Sequence, residues 1–279
     1  MRLVTIAISR DETPYLLQWV AYQHLIGSEQ VLIYDNGHDA EGTDLLRRLH
    51  EHGVIECVPW RQRFPHGPQV PAYDDALSRV RGTTDWALIC DLDEYVVPVL
   101  TDTLSELLDE ATDLDAMWFP WLIFGSSGEL SYRPQPLIER FQRREQVDDT
   151  TVTPVKSAVR PDHVVAAHLH VHPIDSDAYA NPLGERNYLR ASDGVSRRSA
   201  QFARGADVAR THHYMTKSAQ EWAHKVARGR ADRGYADEQP RRKLDEFDLW
   251  NRNAVRDTTA LRFLQPLHQE MARIEKLIE

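Results

Sequence analysis

Between residues 2 and 90 the chain alternates short apolar runs with stretches whose apolar residues fall at helical spacing, and that alternation leaves few architectures open. Residues 2–9 are rich in Val and Ile and read as a buried strand. Pro14 then sits in a first helical turn, and Leu16, Leu17, Val20, Leu25 and Ile26 mark a helix that Gly27 ends. A second strand over 30–34 runs into Asp35-Asn36-Gly37, whose residue types favour a turn. Thr43 caps a helix carrying Leu45, Leu46 and Leu49, Gly53 stops it, and residues 54–60 form a third strand. After a Pro- and Gly-containing loop over 65–71, a helix through Ala72, Ala76, Leu77 and Val80 leads to a fourth apolar run, 86–90. Strands alternating with helices predict an α/β fold: a mostly parallel central sheet with helices on both faces, Rossmann-like and suited to a nucleotide.

The fourth run stops at Asp91, so WALICDLDEYVVP places Asp91, Asp93 and Glu94 at the carboxyl end of a buried strand. Ligands bind at that end of an open α/β sheet, and the loops after Ser9, Asp35 and Trp60 share the same crevice. Asp-x-Asp spacing alone says little, because it also occurs at Asp113/Asp115 and Asp175/Asp177. Asp113/Asp115 lie between the helical TLSELLDEAT and the apolar MWFPWLIF, a solvated connection, and Asp175/Asp177 fall in a loop with Pro and Ser. Only the first pair ends a buried strand, where two carboxylates on one tight turn would grip a divalent cation through hard oxygen ligands. The plainer reading is that Asp91 and Asp93 cap and turn the backbone.

With 279 residues and 42% hydrophobic content, the chain has material for one large α/β domain or two modest ones. A formal charge of -10 argues against general binding to nucleic acid, which rests on phosphate neutralisation. Arginines are plentiful between residues 186 and 262 and would either meet small-molecule phosphates or form solvated helical faces. Cys57 and Cys90 sit in strand-like runs as free thiols, too few for a Cys-based zinc site. No apolar run is long enough to span a membrane, and MRLVTIAISR is too short for a secretory signal, so a cytoplasmic location is expected.

Beyond the acidic turn, Thr103 starts a helix to residue 111, and 116–124 is an aromatic strand ending in Gly125-Ser126-Ser127-Gly128, a turn with exposed backbone donors. Trp118, Trp121 and Phe124 are core by default, while Trp121 alternatively offers a platform for a sugar ring. Residues 156–160 read as a short polar strand. In VVAAHLHVHP, alternation puts His168, His170 and His172 on one face, either a metal-like trio without a carboxylate or a polar sheet face. Residues 175–199 are loop-rich, 219–233 and 240–257 read as long solvated helices, and 258–279 as an amphipathic one. The expected organisation is a catalytic unit over 1–217 with a C-terminal helical extension over 218–279 packed on it.

The succession DETPYLLQWVAYQHLIG, VLIYDNG, GVIECVPW, Gln69 with Ala72, WALICDLDEYVVP, PWLIFGSSG, VKSAVRP and THHYMTKSAQEWAHKVARGRAD resembles bacterial glycosyltransferases of the family 2-like group related to family 92, over roughly residues 3–233. The resemblance implies a GT-A fold, a nucleotide-sugar donor, usually of uridine diphosphate, a bound Mn2+ or Mg2+, and inversion at the anomeric carbon. It matches Asp91 and Asp93 to the metal and ribose motif, with Leu92 between them and Glu94 continuing it. Glu12, after Ser9 and Arg10, matches the acid following the first strand, Asp35 the carboxylate ending the second, and Gln69 the residue before the donor-facing helix. His213-Tyr214, Lys217-Ser218, Glu221 and Arg228-Gly229 match the late block, which makes His213 a third metal ligand with His212 as the alternative. Where the family has Lys-Asn-Glu, this chain has Arg10-Asp11-Glu12.

The implied chemistry calls for these residue types. A departing diphosphate gathers negative charge, which a metal helped by Lys217 or Arg228 offsets. Displacement also needs a base at the acceptor hydroxyl: Glu221 is one candidate, equally readable as a helix-surface acid, and Asp175, Asp177 and Glu185 are others. Trp121, Gly125, Ser126 and His172 are placed on the acceptor side. The partners implied are the nucleotide-sugar donor and a small-molecule or glycan acceptor, and self-association into a homo-oligomer is compatible with them. Two other readings share the features: a haloacid-dehalogenase-like phosphatase, which expects Thr or Val where Tyr95 stands, and a nucleotide-sugar-binding protein without turnover.

Overall fold

β1, Leu3–Ser9, is buried along its whole length, and its side chains divide by parity: Leu3 and Ala7 enter one apolar cluster, Val4, Ile6 and Ile8 another. A strand with apolar neighbours on both faces must lie inside a sheet covered on each side. The computed structural model, which describes residues 1–186, 189–190, 196–197, 203–229 and 243–279, has that layered architecture. The repeating half continues through α1 (Thr13–Leu25), β2 (Gln30–Asp35), α2 (Ala40–Glu51), β3 (Glu56–Pro59), α3 (Gln69–Val80) and β4 (Trp86–Ile89). Next come β5 (Glu94–Pro98), α4 (Leu104–Glu110), β6 (Ala116–Ile123), α5 (Leu137–Arg140), β7 (Arg143–Arg144), β8 (Val155–Val159) and β9 (Tyr179–Ala180). A small pair, β10 (Leu189–Arg190) with β11 (Ser196–Arg197), precedes β12 (Ala209–His213), α6 (Ala219–Arg228), α7 (Phe247–Trp250), β13 (Val255–Arg256) and α8 (Leu264–Ile278).

The main sheet runs β3-β2-β1-β4-β8-β6-β12-β5, with β9 beside β6. β1 pairs in parallel with β2 and β4, and β2 with β3, whereas β8 and β5 run against their neighbours. This is the α/β, mostly parallel, GT-A-type architecture expected from the sequence, and it carries a C-terminal helix. β6 changes partners along its length: residues up to Pro120 pair with β8 and those after it with β12. Proline cannot donate to a ladder, and here it sits where one partner gives way to the next.

Several local expectations change. α2 starts a turn before Thr43, because Asp39 caps it by accepting from the Gly42 N–H at 2.8 Å. β8 is buried throughout rather than polar and surface-facing, including Lys156 and Ser157. His168, His170 and His172 do not alternate along a strand; the chain bends there, and His172 Nδ1 accepts from the His168 N–H at 3.1 Å. The helix begun at Ala219 is described to Arg228, and residues 230–233 of its expected span lie outside the described residues. Within 175–199, β9 and the pair β10 and β11 are described, while 187–188, 191–195 and 198–199 lie outside.

Residues 240–242 also lie outside, and over 243–257 no long helix forms. A single helical turn, α7, is followed by Asn251 and Asn253, whose side-chain oxygens accept from the Ser126 and Ser127 N–H groups at 2.7 and 2.9 Å, and then β13 pairs with β7. Those side chains compete with helical hydrogen bonding and fix the chain across the 125–128 turn. Residues 209–213 form the buried strand β12.

Charge anchors β12 and the tail together. Arg210 donates to Asp257 at 2.8 Å and Arg144 donates to the same carboxylate at 2.6 Å, all three largely buried. α8 lies against α1, with His24 Nδ1 2.8 Å from Glu270 and the Phe263 ring edge-on to Tyr22 at 5.3 Å. Among the described residues no helix is long and apolar enough to cross a membrane.

His212 faces this charged knot from β12: Arg210 Nε donates to its Nε2 at 3.1 Å, and its ring lies against Phe124. Burial, reinforced by Arg210, pushes its pKa from 6.5 down to about 3. The folded state therefore holds His212 neutral, a contribution present above pH 6.5 and lost as pH falls from 6.5 towards 3. Replacing His212 with Gln is expected to flatten the dependence of unfolding free energy on pH in that window by about 1.4 kcal/mol per pH unit, one proton's worth. Urea unfolding of both proteins across the window measures it, and parallel curves would show that His212 does not carry the effect.

Candidate active site

β4 ends in the turn Asp91-Leu92-Asp93, and β5 starts at once with Glu94. Three carboxylates thus enter the protein within four residues, and burying them demands cations from elsewhere in the chain. β8 supplies the first: Lys156 Nζ lies 3.2 Å from Asp91 Oδ2 and 3.1 Å from Glu94 Oε2, with its side chain almost fully buried. Burial disfavours its charge, yet Asp91 and Glu94 outweigh burial and push its pKa up. α6 supplies the second, because Lys225 Nζ donates to Asp93 Oδ2 at 2.5 Å and to the Met215 carbonyl at 2.9 Å. Against the cost of burial, Lys225 and then His213 hold Asp93 well below the ordinary carboxylate range.

Glu94 is held differently. Burial is the largest influence, Asp91 and Asp93 add to it against the pull of Lys156, and the pKa rises to about 8. Its Oε2 accepts from the Asp91 N–H at 2.9 Å, while Oε1 is buried with no hydrogen-bond partner. Alternation along β12 turns His213 towards the acids and His212 to the opposite face. His213 Nε2 lies 3.7 Å from Asp93 Oδ2, its Nδ1 has no partner, and its ring meets Trp121 edge-on at 4.2 Å. Asp93, Glu94 and His213 have ligand atoms within 4.8 Å of one another, the one such group among the described residues. Asp91 stands outside that group: its Oδ1 accepts from Gln69 at 2.7 Å and Tyr73 at 2.9 Å, and its Oδ2 faces Lys156.

These residues open onto a cleft of about 320 Å3 whose walls include Arg10, Glu12, Gln69, Leu92, Trp121, Arg228 and Glu246. Trp121 therefore borders the site, and His170 rather than His172 accompanies it, edge-on at 5.1 Å. His172 is fully buried, its pKa pushed by burial to about 3. Gly125 and Ser126 do not border the cleft; the Gly125 N–H donates to the carbonyls of Arg143 and Arg252, and a side chain at Gly125 would strike Arg252. Asp35 is also turned away, accepting from Arg61 at 2.7 Å and from the Gly37 N–H at 2.9 Å. Ser9 is buried at the end of β1 with its hydroxyl unpaired.

A second cleft of about 420 Å3 adjoins the first, and Glu12, Lys225 and Arg228 border both. Arg228 pairs with Glu12 and donates to the Arg10 carbonyl at 2.8 Å, so α6 clamps the loop after β1. Lys217 reaches Glu12 at 3.9 Å and lies over the Tyr15 ring. Asp11 and Lys217, on the two sides of this clamp, have φ of 47° and 54°, strained values for residues with a Cβ.

Glu221 lies in this second cleft with both oxygens engaged. Arg140 donates to them at 3.0 and 2.6 Å, Tyr15 donates at 2.5 Å, and the Ser218 N–H at 3.0 Å completes a capping box. These donors outweigh burial and lower its pKa, which makes it an anchor of α6 rather than a proton acceptor for the first cleft. Lys156, Tyr73, Lys225 and Glu246 carried no role in the sequence, and His170 was singled out there only as one of the trio with His168 and His172. A lysine inside the apolar VKSAV strand was a legible signal, and so was Lys225 one turn after Glu221 on the same helix face. Glu221→Ala is expected to cost about 1–3 kcal/mol of stability, because buried Arg140 loses one of its two carboxylate partners and keeps only Glu129 at 2.9 Å. Guanidinium unfolding reads this out, and a loss under about 1 kcal/mol would mean a solvated surface pair.

The model of glycosyltransferase family 92 matches residues 6–226. No curated protein matches the chain. Among solved structures, the crystal structure of S. aureus TarS has a TM-score of 0.36 at 15% identity over 58% of this chain and 28% of that one. S. aureus TarS 1-349 in complex with UDP gives 0.36 at 13% identity, over 58% and 47%. The bifunctional IspDF from Campylobacter jejuni gives 0.34 at 6% identity, over 59% and 42%. In each case the matched region spans less than half of the other chain. The family match runs from β1 to α6, from the strand that opens the sheet to the helix that brings Lys225 to Asp93: this chain belongs to glycosyltransferase family 92.

Proposed function

We propose that the first cleft binds a nucleotide sugar, with uridine diphosphate as the nucleotide, together with Mn2+ or Mg2+, and that the sugar passes to an acceptor hydroxyl with inversion. The observation that supports this most is the convergence of Asp93 and His213 with buried Glu94, at a cleft that Asp93 and His213 line together with Lys225, Lys156 and Arg228. Two carboxylates and an imidazole suit a divalent cation, and the buried, unpaired Glu94 Oε1 and His213 Nδ1 are consistent with it. Asp93, Glu94 and His213 would hold the ion, which when bound offsets charge on the departing diphosphate. Arg10, Glu12, Gln69, Asp91 and Leu92 line the donor side, and Arg228 and Lys225 face the diphosphate. Lys217 acts at one remove, holding Glu12. Trp121 offers its ring to the acceptor sugar.

The base is assigned to Glu246. Glu12, Asp91 and Asp93 are each committed to a protein cation, whereas the Glu246 side chain borders the cleft with no ion pair or hydrogen bond of its own among the described residues. A carboxylate free to accept a proton is what direct displacement requires. The order of motifs along the chain supports the family 2-like group within this assignment, and the free thiols Cys57 and Cys90 support a cytoplasmic protein. Residues 1–217 are taken as the transferase unit and 218–279 as its extension, with α6 reaching back into the site.

Asp93→Ala is expected to abolish Mn2+-dependent binding of uridine diphosphate while leaving the protein folded; calorimetric titration with circular dichroism decides this, and unchanged binding would remove the metal reading. For Glu246→Gln, turnover of the donor is expected to fall about 10²- to 10⁴-fold. Affinity for uridine diphosphate with Mn2+ should stay the same, and undiminished turnover would send the search for the base elsewhere.

A further inference from the structure

One oxygen of the group proposed to carry the cation is already taken. Lys225 Nζ sits 2.5 Å from Asp93 Oδ2, the same oxygen that lies 3.7 Å from His213 Nε2. The Met215 carbonyl at 2.9 Å and its sulfur at 3.6 Å hold the ammonium from behind. An ammonium and a divalent ion cannot share one carboxylate oxygen at these separations in a buried site, because their repulsion grows as the local dielectric falls. We infer that Lys225 is a tethered competitor for the cation: in the metal-free protein its ammonium takes the place on Asp93 that Mn2+ or Mg2+ occupies, and metal binding has to displace it. This inference rests on the metal reading given above.

The fold allows the exchange without moving the helix. α6 is pinned at its N-terminus by the capping box of Ser218 and Glu221 with the Arg140 pair, and near its C-terminus by Arg228 on Glu12. Only the Lys225 side chain, four flexible carbons long, has to swing. Once off Asp93, the ammonium remains in the wall shared by the two clefts, close to Arg228. A diphosphate arriving with the metal gives it a new anionic partner, so metal and nucleotide each remove a cost that the other would meet alone. Mn2+ by itself should therefore bind weakly, and uridine diphosphate should tighten it.

The test is calorimetric titration of Mn2+ alone, and of Mn2+ with saturating uridine diphosphate, into wild type, Lys225→Met, Lys225→Gln and Lys225→Arg. Releasing a charge-assisted hydrogen bond from Asp93 is expected to tighten Mn2+ binding about tenfold or more in the Met and Gln variants and to shrink the coupling with the nucleotide. Lys225→Arg, which keeps a cation at the position, should behave as wild type. Thermal melts identify folded variants, and the Gln protein stands in if the Met protein does not fold. Equal or weaker Mn2+ binding in a folded Met or Gln variant overturns the inference while leaving the metal reading intact. No Mn2+ binding to any of the proteins, with or without uridine diphosphate, overturns both.

Discussion

Three carboxylates packed into one turn at the end of a buried strand set the terms for the rest of the molecule. Asp93 and Glu94 could not enter the interior beside half-buried Asp91 as a bare acidic cluster, since unpaired buried charge is too costly to keep. Lys156 answers Asp91 and Glu94 from β8, and Lys225 answers Asp93 from α6. The antiparallel insertion of β8 between β4 and β6, and the return of the chain to the site after β12, are both tied to that need. Glu94, left with an unpaired oxygen and a pKa near 8, shows that the two lysines do not fully compensate the cluster. A divalent ion bringing two positive charges would complete the balance.

The half of the sheet beyond β4 delivers the rest of the site. Pro120 passes β6 from β8 to β12, and the parity of β12 then decides which of two adjacent histidines meets Asp93 and which joins the Arg210, Asp257 and Arg144 knot. One strand therefore serves chemistry on one face and attachment of the tail on the other. The tail is not an independent appendage: Asp257 and α8 bind the sheet and α1, and α7 with the residue before it places Trp250 and Glu246 at the cleft.

The parallel half was legible because its signals are local. Val- and Ile-rich runs, helical spacing and Gly stops place β1 to β4 and the helices between them, and the acidic turn follows from where the fourth run ends. Assignments that depended on distant partners fared differently. GSSG looked like a turn with free donors until Asn251 and Asn253 proved to satisfy them. Glu221 was readable equally as a base or as a helix-surface acid, and Arg140, Tyr15 and Ser218 occupy both its oxygens. ARTHH is polar in sequence, and its burial as β12 depends on Asp257 far along the chain.

By itself, then, the sequence determined the α/β class, the order of the first four strands and the position of an acidic turn at a carboxyl edge, because hydrophobic periodicity is written in neighbouring residues. Tertiary structure alone decided which cations face those acids. Lys156 lies 65 positions from Asp91 and Lys225 lies 132 from Asp93, and no local pattern encodes a pairing across such distances. It is set by how β8 and α6 pack, and by the electrostatic necessity of neutralising what the turn buries.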